Sequence, residues 1–268
     1  MTAWTASTPG CPPGQVLVYA RLLADRVDES LEGRLRAAYL HGSAVLGGWQ
    51  PERSDVDMLF VTENDVRGRE VTAAAAVLAA QEPGVPGRGL ECSMVSAEQA
   101  ARPRAPWPFL LHVAHGPGED QARVVDGGAR PGDRDLLMHY AVCRAAGWPV
   151  RGPAPAELIG SVPRPVILGY LDGELRWGIE HACEAYAVLN ACRALVYLSD
   201  ARIVSKVEGG RIALARGLGP APVIGRALDQ QQGHAPQRDP GRDAADFVLA
   251  VAGTLRSAAG TPRSAAGG

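Results

Sequence analysis

The chain has 268 residues, 46% of them hydrophobic, and a net charge of −2, so it can fill one large domain or two ordinary ones and has no basic field to hold nucleic acid. Its five cysteines (11, 92, 143, 183 and 192) have no CxxC spacing and no even count, which speaks against a disulfide framework or a zinc site and for reduced thiols. There is no apolar run of the about 18 residues that a membrane span needs, and residues 1–14 lack the basic and apolar stretches of a signal peptide, so a cytoplasmic protein is expected.

Residues 15–32 carry apolar side chains at a spacing of three to four and predict a helix. Residues 34–41 read as a strand that ends at Gly42-Ser43, and residues 55–62 as a second strand. Residues 65–81 predict a helix closed by Pro83-Gly84. Residues 88–96 alternate as a strand, with Leu90, Cys92 and Met94 on one face and Glu91, Ser93 and Val95 on the other. A further strand is expected over 109–115, and the Gly-, Asp- and Arg-rich stretch 116–133 reads as a loop.

After that loop the pattern turns helical, over 133–147, 154–160, 165–182, 183–200, 205–217 and 241–257. The polar stretch 230–243 reads as a surface loop. Strands first and helices later predict an α+β chain: a nucleotide-handling domain over 1–130 with a small mixed sheet and helices, then an all-α helical bundle over 131–256. Residues 257–268, rich in Ala, Gly, Ser and Thr, are expected to be a disordered tail.

The chemistry is concentrated between Tyr39 and Val61. Residues i and i+2 of a strand point to the same side, so Asp55 and Asp57 present two carboxylates together while Val56 points into the core. Two such charges side by side call for a cation, and Mg²⁺ binds one or two carboxylates together with substrate phosphates. The Gly42-Ser43 turn supplies the other half. Gly42 lets a phosphate come close to the backbone, N–H groups there and at the start of a following helix can hold phosphate oxygens, and the Ser43 hydroxyl adds a donor. The plainer alternative is a turn followed by a capping Asp.

Gly42-Ser43, eleven intervening residues that end in Ser54, and then Asp55-Val56-Asp57 resemble the signature of the polymerase-beta-like nucleotidyltransferases. The variant here is similar to that of the aminoglycoside adenylyltransferases, which transfer AMP from ATP to a hydroxyl of streptomycin or spectinomycin. The resemblance runs over roughly residues 35–215. It implies ATP as co-substrate, Mg²⁺ held by Asp55, Asp57 and Glu91, and nucleotide contacts from Gly42, Ser43 and Ser54. From position alone Glu91 could be either a base or an exposed edge-strand residue; Leu90-Glu91 is similar to the family's Leu-Glu-Val strand, which implies that it takes the proton of the acceptor hydroxyl.

The segments from Tyr186 to Tyr197 and from Ile203 to Lys206 resemble the family's helical signature, in which an Arg and a Lys thirteen residues apart reach the ATP phosphates. Arg193 and Lys206 stand at that spacing. Lys206 is also the one lysine among 27 basic residues, as though a compact ammonium were needed there and not a guanidinium. The family's streptomycin-binding Asp, ten residues before the Arg, is Cys183 in this chain, with Glu184 beside it. This departure favours spectinomycin or another aminocyclitol. Glu184, Tyr186 and Trp107 are the substrate-binding candidates. Trp177, Tyr186 and Tyr197 also read as core residues, and Glu180 with Glu184 as a negative helix face. The six histidines give no zinc site; His41 is expected to pack against the turn or cap it. The expected partners are therefore ATP and an aminocyclitol or aminoglycoside bound by a monomer, with neither nucleic acid nor membrane. The alternatives are a catalytically silent nucleotide-binding scaffold or a transferase with a different acceptor.

Overall fold

The computed structural model describes residues 10–80, 84–116 and 121–260, and the molecule is α+β, as the order of strands and helices predicts. Chain order is α1 (Gly14–Ser30), β1 (Leu35–Leu40), a 3₁₀ turn (Gly42–Ala44), β2 (Val56–Thr62), α2 (Arg69–Ala79), β3 (Leu90–Ser96), α3 (Ala97–Ala101), β4 (Leu111–His115) and β5 (Arg123–Asp126). A second 3₁₀ turn (Gly127–Ala129) leads to α4 (Leu136–Ala146), β6 (Trp148–Arg151) and α5 (Pro155–Leu158). Then come α6 (Arg164–His181), α7 (Glu184–Asp200), α8 (Lys206–Ala215), α9 (Ala221–Gln232) and α10 (Arg242–Gly260). No helix among the described residues is long and apolar enough to cross a membrane.

The six strands form one mixed sheet in the order β5-β4-β3-β2-β1-β6, in which only β2 and β3 run parallel. Strand parity decides which face does what. Met58, Phe60, Leu90, Cys92 and Met94 are buried in the core with Val16, Leu23 and Val27 of α1 and Leu78 of α2. Their neighbours in the chain, Asp57, Glu91 and Ser93, point to the other face, which carries the candidate site. The parity expected for residues 88–96 is the one observed.

The chain divides into two compact units, one ending at Val162 and the other starting at Pro163. The expected boundary at 130/131 falls earlier, because α4 leads into β6, which pairs with β1 and completes the sheet. The second unit is helical: α10 packs on α6 and α7, and α8 and α9 on α7 and on each other.

Several elements escape the sequence reading, each for a physical reason. The expected loop 116–133 contains β5, an edge strand whose four residues are exposed or nearly so and thus show no apolar alternation. Strand β6 holds Pro149, which an edge strand tolerates because its N–H is not needed. Helix α9 was hidden by Pro220 and Pro222, yet a proline in the first turn fits a helix, whose first N–H groups have no partner anyway. Gln230, expected in a surface loop, therefore lies on α9 and is buried. The helix expected over 65–81 begins only at Arg69, after Gly68, and its closing Pro83 lies outside the described residues. Of the tail expected to be disordered, 257–260 continue α10, whereas 261–268 lie outside the described residues.

Candidate active site

The parallel pairing of β2 and β3 sets Asp57 directly beside Glu91 on one face of the sheet. Asp55, just before β2, lies on the same face beside Gly89, and its Oδ1 is 3.7 Å from Arg88 Nε. Val56 between the two acids is fully buried, as strand parity requires. The Gly42-Ser43 turn meets this pair from β1. The His41 N–H donates to the Asp57 carbonyl at 3.0 Å, and Gly42 has φ +63°. A Cβ on Gly42 would lie 1.9 Å from Asp57 Oδ2, so the glycine backbone lies directly against the carboxylate. No α-helix follows at once; a single 3₁₀ turn does, so the phosphate-holding groups expected there reduce to the turn itself.

Gly42→Ala is accordingly expected to displace Asp57. The left-handed backbone alone disfavours alanine by about 1–2 kcal/mol, and a misplacement of about 1 Å at reacting groups can lower turnover about 10²-fold. For the nucleotidyl transfer that the sequence resemblance implies, pyrophosphate release from ATP, followed beside a thermal melt, checks this; parent rates in a folded Gly42→Ala protein would remove the turn from the site.

Two histidines missed as site residues stand next to these acids. His139 of α4 has Nε2 3.9 Å from Glu91 Oε1, and its ring centroid is 4.9 Å from that of His41. His41 is buried and makes no side-chain cap to the turn, so it packs. Burial, and then the neighbouring His139, hold its imidazole well below the ordinary value, so it is neutral at pH 7. On β4, His112 Nδ1 is 3.1 Å from Ser93 Oγ. Burial also lowers the His112 value, against an opposite pull from Glu91 and Asp133. Neither pairing leaves a local sequence signal: one joins the residue that follows β1 to α4, the other joins β3 to β4.

Among the described residues, no group of three or more His, Cys, Asp and Glu side chains is arranged to hold a metal ion. The expected cage of Asp55, Asp57 and Glu91 is thus not preassembled, and Asp55 leans towards Arg88. The adjoining carboxylates Asp57 and Glu91 nevertheless suit a hard cation that brings most of its oxygen ligands with it, as Mg²⁺ does on a triphosphate. Ser54 has other work: its Oγ accepts from the Gln50 N–H at 3.0 Å and closes the turn before β2.

In the helical unit, Arg193 of α7 donates from Nε to the Val204 carbonyl at 2.8 Å and from Nη1 to Asn190 Oδ1 at 3.0 Å. Helix α8 packs closely against it, since a Cβ on Gly209 would come within 2.9 Å of Arg193 Cγ. Lys206, the first residue of α8, holds Nζ 4.5 Å from the centroid of the Tyr186 ring, and the Tyr186 hydroxyl donates to Glu174. Tyr186, Asn190 and Arg193 fall at i, i+4 and i+7 on one face of α7, so the two cations expected to act together share one surface. Trp177, read as core, is 48% exposed, stacked on His181 and edge-on to Tyr186.

Two substrate-binding candidates are buried. Glu184 does not face solvent: it is fully buried, and both of its oxygens are taken by Arg238 (Nε–Oε1 3.0 Å, Nη2–Oε2 2.7 Å), with Gln230 Nε2 also on Oε1 at 3.0 Å. Glu180 alone remains on the negative face expected there. Trp107 is buried too and does not line the cavity of Glu91; it lines a separate one of about 270 Å³ with Ser96, Gln99, Arg102 and Tyr140.

Residues 168–256 match the family model described as the aminoglycoside adenylyltransferase C-terminal domain. That match lies within the helical unit, and the family it names is the one that the Gly-Ser and Asp-x-Asp motifs resemble. A solved structure described as the spectinomycin adenyltransferase AAD(9) from Enterococcus faecialis, with ATP and spectinomycin, aligns with a TM-score of 0.57 over 91% of this chain and 99% of that chain. At 15% identity this likeness shows the fold alone. No curated protein matches the chain.

Proposed function

We propose that the protein transfers AMP from ATP to a hydroxyl of an aminocyclitol or aminoglycoside antibiotic, with spectinomycin favoured over streptomycin, and so inactivates the drug. The observation that carries this reading is the juxtaposition of Gly42, Asp57 and Glu91, in which a bare backbone turn, a carboxylate and a second carboxylate meet on one sheet face. The match of the helical unit to the adenylyltransferase C-terminal domain and the fold shared with AAD(9), which was solved with ATP and spectinomycin, support it.

In this reading Glu91 takes the proton of the acceptor hydroxyl. The acceptor oxygen bonds to the α-phosphorus, the bond from that phosphorus to the bridging oxygen breaks, and pyrophosphate leaves. The Gly42 backbone and Ser43 hold phosphate oxygens, and Arg193 and Lys206 bind the triphosphate. Mg²⁺, held by Asp57 with Asp55 or Glu91, would neutralise charge on the phosphates. Ser54 acts on this site by fixing the turn that precedes Asp55.

Lys206 carries its own test. Its ammonium lies over the Tyr186 ring, where a point charge fits. Lys206→Arg is expected to weaken ATP binding although the charge is kept, and equal affinities by calorimetry would undo that assignment.

The whole reading is checked by incubating the protein with ATP, Mg²⁺ and either spectinomycin or streptomycin, and searching by mass spectrometry for a drug that carries added AMP. A spectinomycin adduct alone agrees with Cys183 standing where the streptomycin-binding acid is expected. With ATP bound and no adduct on either drug, the weight moves to another acceptor or to a silent scaffold.

A further inference from the structure

The register across four strands aligns Asp57, Glu91, Ala114 and Arg123 in one row on one face. Adjacent strands lie about 4.8 Å apart, so the small Ala114 floors a gap of about 10 Å between the backbones that carry Glu91 and Arg123. Two residues along on the same face stand Ser93 and His112, side by side in register and joined at 3.1 Å. A cavity of about 220 Å³ opens here, within the sheet-bearing unit, lined by Glu91, His112, Arg123, Arg130, Asp133 and Arg134 among others. None of its residues apart from Glu91 was a candidate from sequence.

We propose that this cavity receives the acceptor, one saturated amino- and hydroxyl-bearing ring at a time, and that His112 is an acceptor-binding residue. Its position follows from how the side chain is held. Ser93 engages Nδ1 on the buried side, which fixes the ring and leaves Nε2 as the ring atom available to a ligand in the cavity. Glu91, the proposed proton acceptor, lines the same space, so a ring hydroxyl that reaches Glu91 brings its neighbouring oxygen or nitrogen to His112. The mixed lining suits such a ring: the carboxylate of Asp133 for an amino group, and guanidinium groups of Arg123, Arg130 and Arg134 for hydroxyl and ether oxygens. Drug-sized ligand pockets hold about 300–1,000 Å³, so this one has room for a single ring with the rest of the acceptor outside it.

This inference rests on the transferase reading, and the experiment separates the two. Steady-state AMP transfer to spectinomycin is measured for the parent protein and for His112→Leu, His112→Gln and Ser93→Ala. Loss of one hydrogen bond to the acceptor is expected to raise the spectinomycin KM about tenfold in His112→Leu, with the KM for ATP unchanged. His112→Gln, which keeps a polar group near the same place, should recover much of that affinity. Ser93→Ala, which frees the ring, should raise the same KM by less. An unchanged spectinomycin KM in both His112 variants, or equal rises for ATP and spectinomycin, overturns the inference and leaves the transferase reading standing. A parent protein that binds ATP but transfers AMP to neither drug overturns both.

Discussion

Glu91→Gln is expected to lower the rate of AMP transfer by about 10²–10⁴ while leaving ATP binding nearly intact, the range for loss of a general base. Glutamine keeps the size of the side chain and can still hydrogen-bond, but it does not take a proton. The Glu91 side chain is 40% exposed on the sheet face, so the amide buries no new polar group, and the fold should tolerate it. Asp57 on the neighbouring strand stays in place, as does the Gly42 turn against it. Single-turnover measurements separate the two roles open to Glu91. If the chemical step slows and the ATP affinity measured with Mg²⁺ holds, Glu91 acts on the acceptor. If ATP affinity falls to the same degree, its main work is to hold the cation. Unchanged turnover would remove it from the site altogether.

How much of this was legible in the sequence depends on the range over which each feature is set. The sheet face of Asp57 and Glu91 follows from strand parity within a few residues, and so does the burial of Val56 and Cys92. Gly42 is readable for the same reason, although that its backbone lies against Asp57 and not only near a phosphate is a matter of packing between β1 and β2. Lys206 stood out through composition, and its place beside the Tyr186–Arg193 face of α7 agrees with the spacing of thirteen. What could not be read was set by distant parts of the chain. Trp107 shares a cavity with Ser96 and Tyr140, His139 reaches Glu91 from α4, and β6 joins the sheet more than a hundred residues after its partner β1. The family resemblance placed the acid-bearing strands well and misled at Glu184, where a charge near a lost acid looked like its replacement.

Glu184 is the residue where stability and substrate binding give opposite expectations. Its carboxylate gathers Arg238, Gln230, Arg226 at 3.5 Å and the Gly241 N–H at 3.4 Å, so that one buried charge ties the start of α7 to α9 and to the loop that leads into α10. Burial by itself would push this carboxyl up, but the hydrogen bonds from Arg238, Gly241, Arg226 and Gln230 outweigh it and hold it below its ordinary value of 4.5. A depressed folded value means that the contribution to stability is complete above the unfolded value and fades as pH falls through the folded one, so the loss belongs to acid solution. Glu184→Ala removes the anion and leaves its partners behind. The expected loss of stability near pH 7 is roughly 3 kcal/mol, the low end for breaking a buried pair, because the side chains of Arg226 and Arg238 are 35% and 49% exposed and can turn to water. Urea unfolding checks this at pH 7 and again below pH 4, where the gap between parent and variant should shrink. A drug-binding acid would behave differently, with an unchanged unfolding midpoint and a raised KM for the cationic acceptor near pH 7. A loss below about 1 kcal/mol together with such a KM would return Glu184 to the substrate site, since an exposed ion pair is worth no more than that.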